Sequence, residues 1–190
     1  MLVAAAVIFS TASFAQGVSL GFKAGINVSN QRVTFPEGSV SGEVRIGFHV
    51  GGLVTAMFSD QLGFQAELLF NSVGVKTQYG RGPDISDILN YLSVPVVFRY
   101  QFAEVLNIHA GPQVGFLLEA NAGDMNTKDR YKGLDFGAAI GAGVGLPSGL
   151  GFSARYVMGI ANVGETGSDE IKLTNNAFQI SACYRFGGAN

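Results

Sequence analysis

Residues 91–102 read YLSVPVVFRYQF. Leu92, Val94, Val96, Phe98, Tyr100 and Phe102 take the even positions, and Tyr91, Ser93, Pro95, Val97, Arg99 and Gln101 the odd ones. Side chains of a strand point alternately to opposite faces, whereas those of a helix repeat every 3.6 residues. A period of two with one wholly apolar face and one carrying Ser, Arg and Gln predicts a strand between an apolar medium and a polar one. Pro95 cannot donate a ladder hydrogen bond, so it is expected at a bulge or a non-bonded site.

The same period recurs on both sides of this stretch. Upstream, Val18, Leu20, Phe22, Ala24, Ile26 and Val28 oppose Ser19, Gly21, Lys23, Gly25, Asn27 and Ser29. Two further segments follow, with Ile46, Phe48, Val50, Val54, Ala56 and Phe58 on the apolar face of one and Leu62, Phe64, Ala66, Leu68 and Phe70 on that of the other. Downstream, segments at 106–119, 134–146, 150–160 and 177–186 repeat the alternation and bring the count to eight. The connectors near 59–61, 103–104 and 147–149 are short, and those near 30–42, 78–88, 121–132 and 163–175 are long and polar. Short turns on one side and long loops on the other form the pattern of outer-membrane barrels, with the short turns in the periplasm. The expected fold is all-β: an eight-stranded antiparallel up-and-down transmembrane β-barrel with short periplasmic turns and longer extracellular loops.

Composition points the same way. The chain is 47% hydrophobic and 14% charged, against about 25% charged for a soluble domain. After the N-terminal segment no apolar run reaches the ~20 residues that a membrane-spanning helix needs, so the apolar content lies in alternating strands. A formal charge of −2 offers no basis for nucleic-acid binding. Cys183 is the sole cysteine and has no intrachain partner, and no Cys/His metal spacing or cofactor motif is present. Gly141, Gly143 and Gly145 are spaced by two, as on a strand face kept small, and not as in a dinucleotide-binding turn. With Trp absent, an interfacial aromatic belt must consist of Tyr and Phe.

Residues 1–15, MLVAAAVIFSTASFA, read as a signal peptide, with an apolar stretch over Leu2–Phe9 and the small residues Ser13 and Ala15 at positions −3 and −1. Cleavage is expected after Ala15, leaving 16–190 as the barrel domain. No Lys or Arg precedes the apolar stretch, which departs from the usual pattern.

The mature chain resembles the PorT-type outer-membrane β-barrel family of Bacteroidetes. The resemblance is carried by GFKAGINVSN at 21–30, YLSVPVVFRYQF at 91–102, HAGPQVGFLLEA at 109–120, LDFGAAIGAGVGL at 134–146, ARYVMGIANV at 154–163 and the closing YRF at 184–186. It implies an outer-membrane barrel of a Gram-negative cell. Members are often labelled porin-like, and the secretion role of the type member is not carried over. Phe186 resembles the terminal aromatic signal read by outer-membrane assembly machinery, although four more residues follow it.

Lys23, Glu67, Arg99, Glu119, Arg155 and Arg185 all fall on the polar face. In an eight-stranded barrel that face points into a lumen that side chains just fill. Buried charges need partners, so these six are expected to form a lumenal ion-pair network, with Glu67 and Glu119 set among the cations and Arg99 paired to a carboxylate. His49 and His109 also fall inward, without a catalytic Ser or carboxylate motif beside them, so no enzyme is expected. Asn27-Val28-Ser29 matches a glycosylation site but lies within a strand.

Three functions compete: a structural or interaction barrel, a small porin or transporter, and a soluble lipocalin-like carrier. A lipocalin would put its apolar face inward, and a charged lumen makes a poor hydrophobic cavity. Eight strands leave no open channel. The expectation is an integral barrel surrounded by outer-membrane lipid, handled by assembly machinery, with a possible protein partner at its extracellular loops.

Overall fold

A computed structural model describes residues 17–77, 85–123, 125–165 and 171–186. The proposed signal peptide and its cleavage site lie outside these residues.

The strands are β1 (Val18–Phe35), β2 (Gly38–Ser41), β3 (Glu43–Met57), β4 (Leu62–Thr77), β5 (Ile85–Gln101), β6 (Leu106–Ala122), β7 (Met125–Asn126), β8 (Leu134–Gly145), β9 (Leu150–Gly159) and β10 (Lys172–Phe186). β2 runs on into β3 and both pair with β1, while the two-residue β7 only pairs with the end of β6. The remainder is an antiparallel meander of eight long strands. It closes where β10 pairs with β1 from Leu20↔Phe186 to Thr34↔Lys172. Closure leaves no strand edge for lipid to meet, which a membrane-spanning sheet requires.

The faces are as the alternation predicts. Phe22, Ile46, Phe48, Ile140 and Ile180 stand exposed on the outside, while Lys23, Asn27, His49, Glu67 and Arg155 are buried within. An exterior so rich in large apolar groups suits lipid. Near the short-turn end the exterior carries aromatic clusters: Phe58, Phe64 and Phe98 touch one another, and Phe186 packs edge-on against both Phe22 and Tyr184. These form a girdle of Phe and Tyr at that interface.

Two features differ from the sequence reading. First, much of what reads as long polar connector is strand. β1 continues to Phe35, β5 starts at Ile85 and β10 at Lys172. Beyond the lipid belt the outer face no longer has to be apolar, while Val73 and Leu89 turn inward into an apolar cluster, so the alternation of the belt is lost while the backbone ladder continues. β8 and β9, at 12 and 10 residues, are the low part of the wall; a crossing takes about 9–11 residues. Second, β6 carries a bulge. Asn90 pairs with Glu119 and Tyr91 with Leu117, so one residue of β6 is extra and the alternation changes phase. Leu117 and Ala120 then point inward, and Glu119 is exposed.

Pro95 and Pro112 sit where the ladder is broken. Pairing of β4 with β5 is interrupted between Ala66↔Val96 and Leu69↔Ser93, beside Pro95. Pairing of β5 with β6 is interrupted between Pro95↔Gln113 and Phe98↔Ala110, beside Pro112.

Candidate functional site

The candidate site is the lumen. Its centre of charge is Glu67, which the alternation of β4 turns inward along with Gln65 and Asn71. Both Glu67 oxygens lie 3.1 Å from Lys23 Nζ on β1. Arg155 on β9 donates to them as a fork, Nη2 to Oε1 at 2.6 Å and Nη1 to Oε2 at 3.1 Å. All three side chains are within 2% of full burial. A buried carboxylate is tolerated only with good geometry and its lone pairs satisfied, and Glu67 meets both conditions, since Gln65 Nε2 adds a bond of 2.6 Å. Arg155 Nε donates to His109 Nε2 at 3.3 Å, which leaves the imidazole proton on Nδ1, facing Asn107 Oδ1.

Room for these long side chains comes from β8. A Cβ on Gly141 would lie 2.8 Å from the His109 ring, one on Gly143 3.1 Å from the Asn107 amide, and one on Gly145 would strike the Arg185 guanidinium. The glycines spaced by two are the seats of inward polar groups from facing strands.

Towards the loop end the chemistry becomes neutral. His49 Nδ1 donates to Asn27 Oδ1 and its Nε2 accepts from Ser181 Oγ, both at 2.8 Å. Asn27 donates to Asn71 Oδ1 at 2.6 Å, Gln179 donates to Asn27 Oδ1 at 3.0 Å, and Asn71 donates to Ser93 Oγ at 3.3 Å. The order Ser181–His49–Asn27 is that of an acyl-transfer triad, but each member is at most 3% exposed. Even a methyl on Gly25 would lie 2.7 Å from the His49 ring. A substrate acyl group has no room there, so these residues serve as packing.

Higher still, Asn175 donates to Tyr91 Oη at 3.2 Å and to Asp135 Oδ2 at 2.9 Å, and Gln31 donates to Asn175 at 3.1 Å. Above and beside them Val73, Leu89, Tyr91, Leu117, Ala120 and Ala177 form an apolar cluster, with Tyr131 from the β7–β8 connection packed against it. Burial raises the pKa of the Tyr131 phenol. Among the described residues no three of His, Cys, Asp and Glu come together to hold a metal ion.

Of the six charged residues singled out in the sequence, Lys23, Glu67 and Arg155 meet. Arg99 is linked to them only through Gln65, whose Oε1 accepts from Arg99 Nη1 at 3.4 Å; its other partner is Gln101 Oε1 at 3.1 Å. Its expected carboxylate partner is absent among the described residues, because Glu67 is enclosed by Lys23, Arg155 and Gln65. Arg185 lies at the short-turn mouth against Gly145. Glu119 is outside the lumen, where it accepts from Asn90 at 3.2 Å; the β6 bulge removes it from the expected network. The amide tier of Asn27, Asn71 and Gln179 carries no charge to mark it in the sequence, although all three stand on the polar side of the period-two pattern.

A model of the family described as Outer membrane protein beta-barrel domain matches residues 14–165. The chain belongs to the outer membrane protein beta-barrel domain family. The match ends before β10, the strand that closes the barrel. Solved structures show the same architecture. Ail, the attachment invasion locus protein of Yersinia pestis, is 14% identical, with 90% of this chain and 100% of that one covered, at a TM-score of 0.52. Neisserial surface protein A is 12% identical, with 90% and 100% covered, at 0.53. OprG from Pseudomonas aeruginosa is 12% identical, with 90% and 97% covered, at 0.53. Similarity at that level speaks for the fold: a closed eight-stranded barrel of the bacterial outer membrane. No match was found among curated proteins. The protein is thus an integral outer-membrane barrel with lipid around its wall, in a family of small barrels that are generally not enzymes.

Proposed function

We propose that this protein is a closed barrel with a structural or interaction role, which presents its loop end to a partner outside the cell and passes no solute. The observation that carries the reading is the Lys23–Glu67–Arg155 cluster, which ties β1, β4 and β9 together across the lumen. The buried amide tier and the apolar cluster stacked above it fill the lumen further towards the loop end. The strands that continue past the lipid belt give the loop end a stiff base, which suits protein contact better than solute passage. The PorT-type resemblance, a Bacteroidetes source, export by residues 1–15 and handling by the assembly machinery belong to the same proposal; mature protein beginning at Gln16 would support the export step. The porin alternative is tested by purified protein in planar bilayers. The expected result is no steady current, and a stable ion-selective conductance would overturn the closed-lumen reading.

A further inference from the structure

At the short-turn mouth of the lumen two arginines stand without a carboxylate partner among the described residues. Arg99 and Arg185 line one recess together with Lys23, Gln65 and Cys183. Among the described residues no carboxylate lines the recess, and Glu67, which Gln65 reaches, already has both oxygens engaged by Lys23 and Arg155. Arg99 is bound by neutral amide oxygens alone, those of Gln65 and Gln101. Arg185 places its guanidinium over Gly145 on the wall of the recess. Among the described residues neither arginine pairs with a carboxylate. Two guanidinium groups at one partly desolvated site repel each other, and a charge of opposite sign there is worth far more than it is in bulk water.

We propose that this recess is a binding site for a small oxyanion of the phosphate class, entering from the periplasm and held between Arg99 and Arg185. Planar guanidinium forks match tetrahedral oxyanions and donate to them in pairs. The barrel wall separates the recess from the bilayer, so the ligand is a free anion and not a lipid headgroup. The site is compatible with a closed lumen, because the Lys23–Glu67–Arg155 cluster lies behind it.

Cys183, the one cysteine of the chain, lines the same recess and serves as the reporter. The rate of its modification would be measured on folded protein in neutral detergent. The reagents are an anionic sulfonatoethyl and a cationic trimethylammonium-ethyl methanethiosulfonate. The anionic reagent should react faster by about tenfold or more, in line with focusing of charge in a low-dielectric cleft. Inorganic phosphate should slow that reaction at constant ionic strength, while a short-chain phosphatidic acid should not. Arg185→Gln should abolish both the preference and the protection. Gly145→Ala, whose methyl displaces the Arg185 guanidinium without removing its charge, should weaken the protection and keep most of the preference. The gel mobility of the folded form confirms that each variant has assembled. Equal rates with the two reagents would overturn the site. So would a thiol that neither reagent reaches, protection unchanged in Arg185→Gln, or protection by the lipid alone.

Discussion

The two halves of the lumen solve one packing problem with different chemistry. In the short-turn half, Lys23, Glu67, Arg99, Arg155 and Arg185 fill the space with long charged groups set over small glycines. In the loop half the occupants are shorter: Asn27, Asn71, Asn175 and Gln179, capped by Leu89, Val73 and Leu117. Charge gives strong, directional bonds that reach across the barrel, but every member depends on the others. Amides and aliphatic groups bond or pack locally, so the loss of one is felt mainly by its neighbours. The short-turn half should therefore fail as a unit and the loop half piecemeal.

The sharpest test is Glu67→Gln, which leaves Lys23 and Arg155 buried together without a counter-charge. Breaking such a cluster costs about 3–5 kcal/mol, and urea unfolding from lipid vesicles should show the loss. Combining Glu67→Gln with Lys23→Met should recover part of it, because one of the stranded charges is gone. An additive double variant would break the comparison. In the loop half, Leu89→Ala removes a fully buried side chain from the apolar cluster and should cost about 2–5 kcal/mol. The bilayer should still show no steady current, since the charged half stays closed. Asn71→Ala leaves Asn27 and Ser93 each short of one partner, an effect of about 1–3 kcal/mol by the same assay. The smallest effect is expected for Glu119→Gln, where the unfolding midpoint should not move, because that carboxylate lies on the outer surface. A large loss there would return Glu119 to the lumen and remove the bulge from β6.

What the sequence made legible follows the reach of the lipid. Between Phe22 and Ile26, or Val94 and Tyr100, lipid demands an apolar residue at every second position, and the period stands out. Above Asn71 and before Tyr91 that demand lapses. The strand there is held by backbone pairing from Ser72↔Asn90 to Thr77↔Ile85, which leaves little trace in side-chain type. Val73 and Leu89, the base of the apolar cluster, stand there on the inward side that is polar within the lipid belt. The meeting of Lys23, Glu67 and Arg155 was legible as facing but not as geometry. Alternation says which side a residue takes, whereas the choice of partner depends on how the barrel is staggered. A strict period of two puts Glu119 inward, but one inserted residue in β6 inverts the parity of all that follow it. Alternation turns the long Arg99 side chain inward, yet its bonds run to Gln65 and Gln101 because Glu67 is enclosed by Lys23, Arg155 and Gln65.

The cluster at Glu67 also bears on the order of events during assembly. Its three members are separated by 44 and 88 residues along the chain, and they come from strands that are neighbours neither in sequence nor in the sheet. No hairpin contains two of them. A chain that has formed only β1 to β4 has Lys23 and Glu67 but lacks Arg155, and a chain lacking β10 has no rim to hold β9 against β1. The full charge match therefore exists only once the last strand has zipped to the first. Until then the inward carboxylate and cations keep their water, and a half-built sheet has reason to stay at the aqueous boundary. Contacts this remote in the chain are slow to form, so the rate at which β10 finds β1 is expected to set the pace at which the protein leaves that boundary for the bilayer.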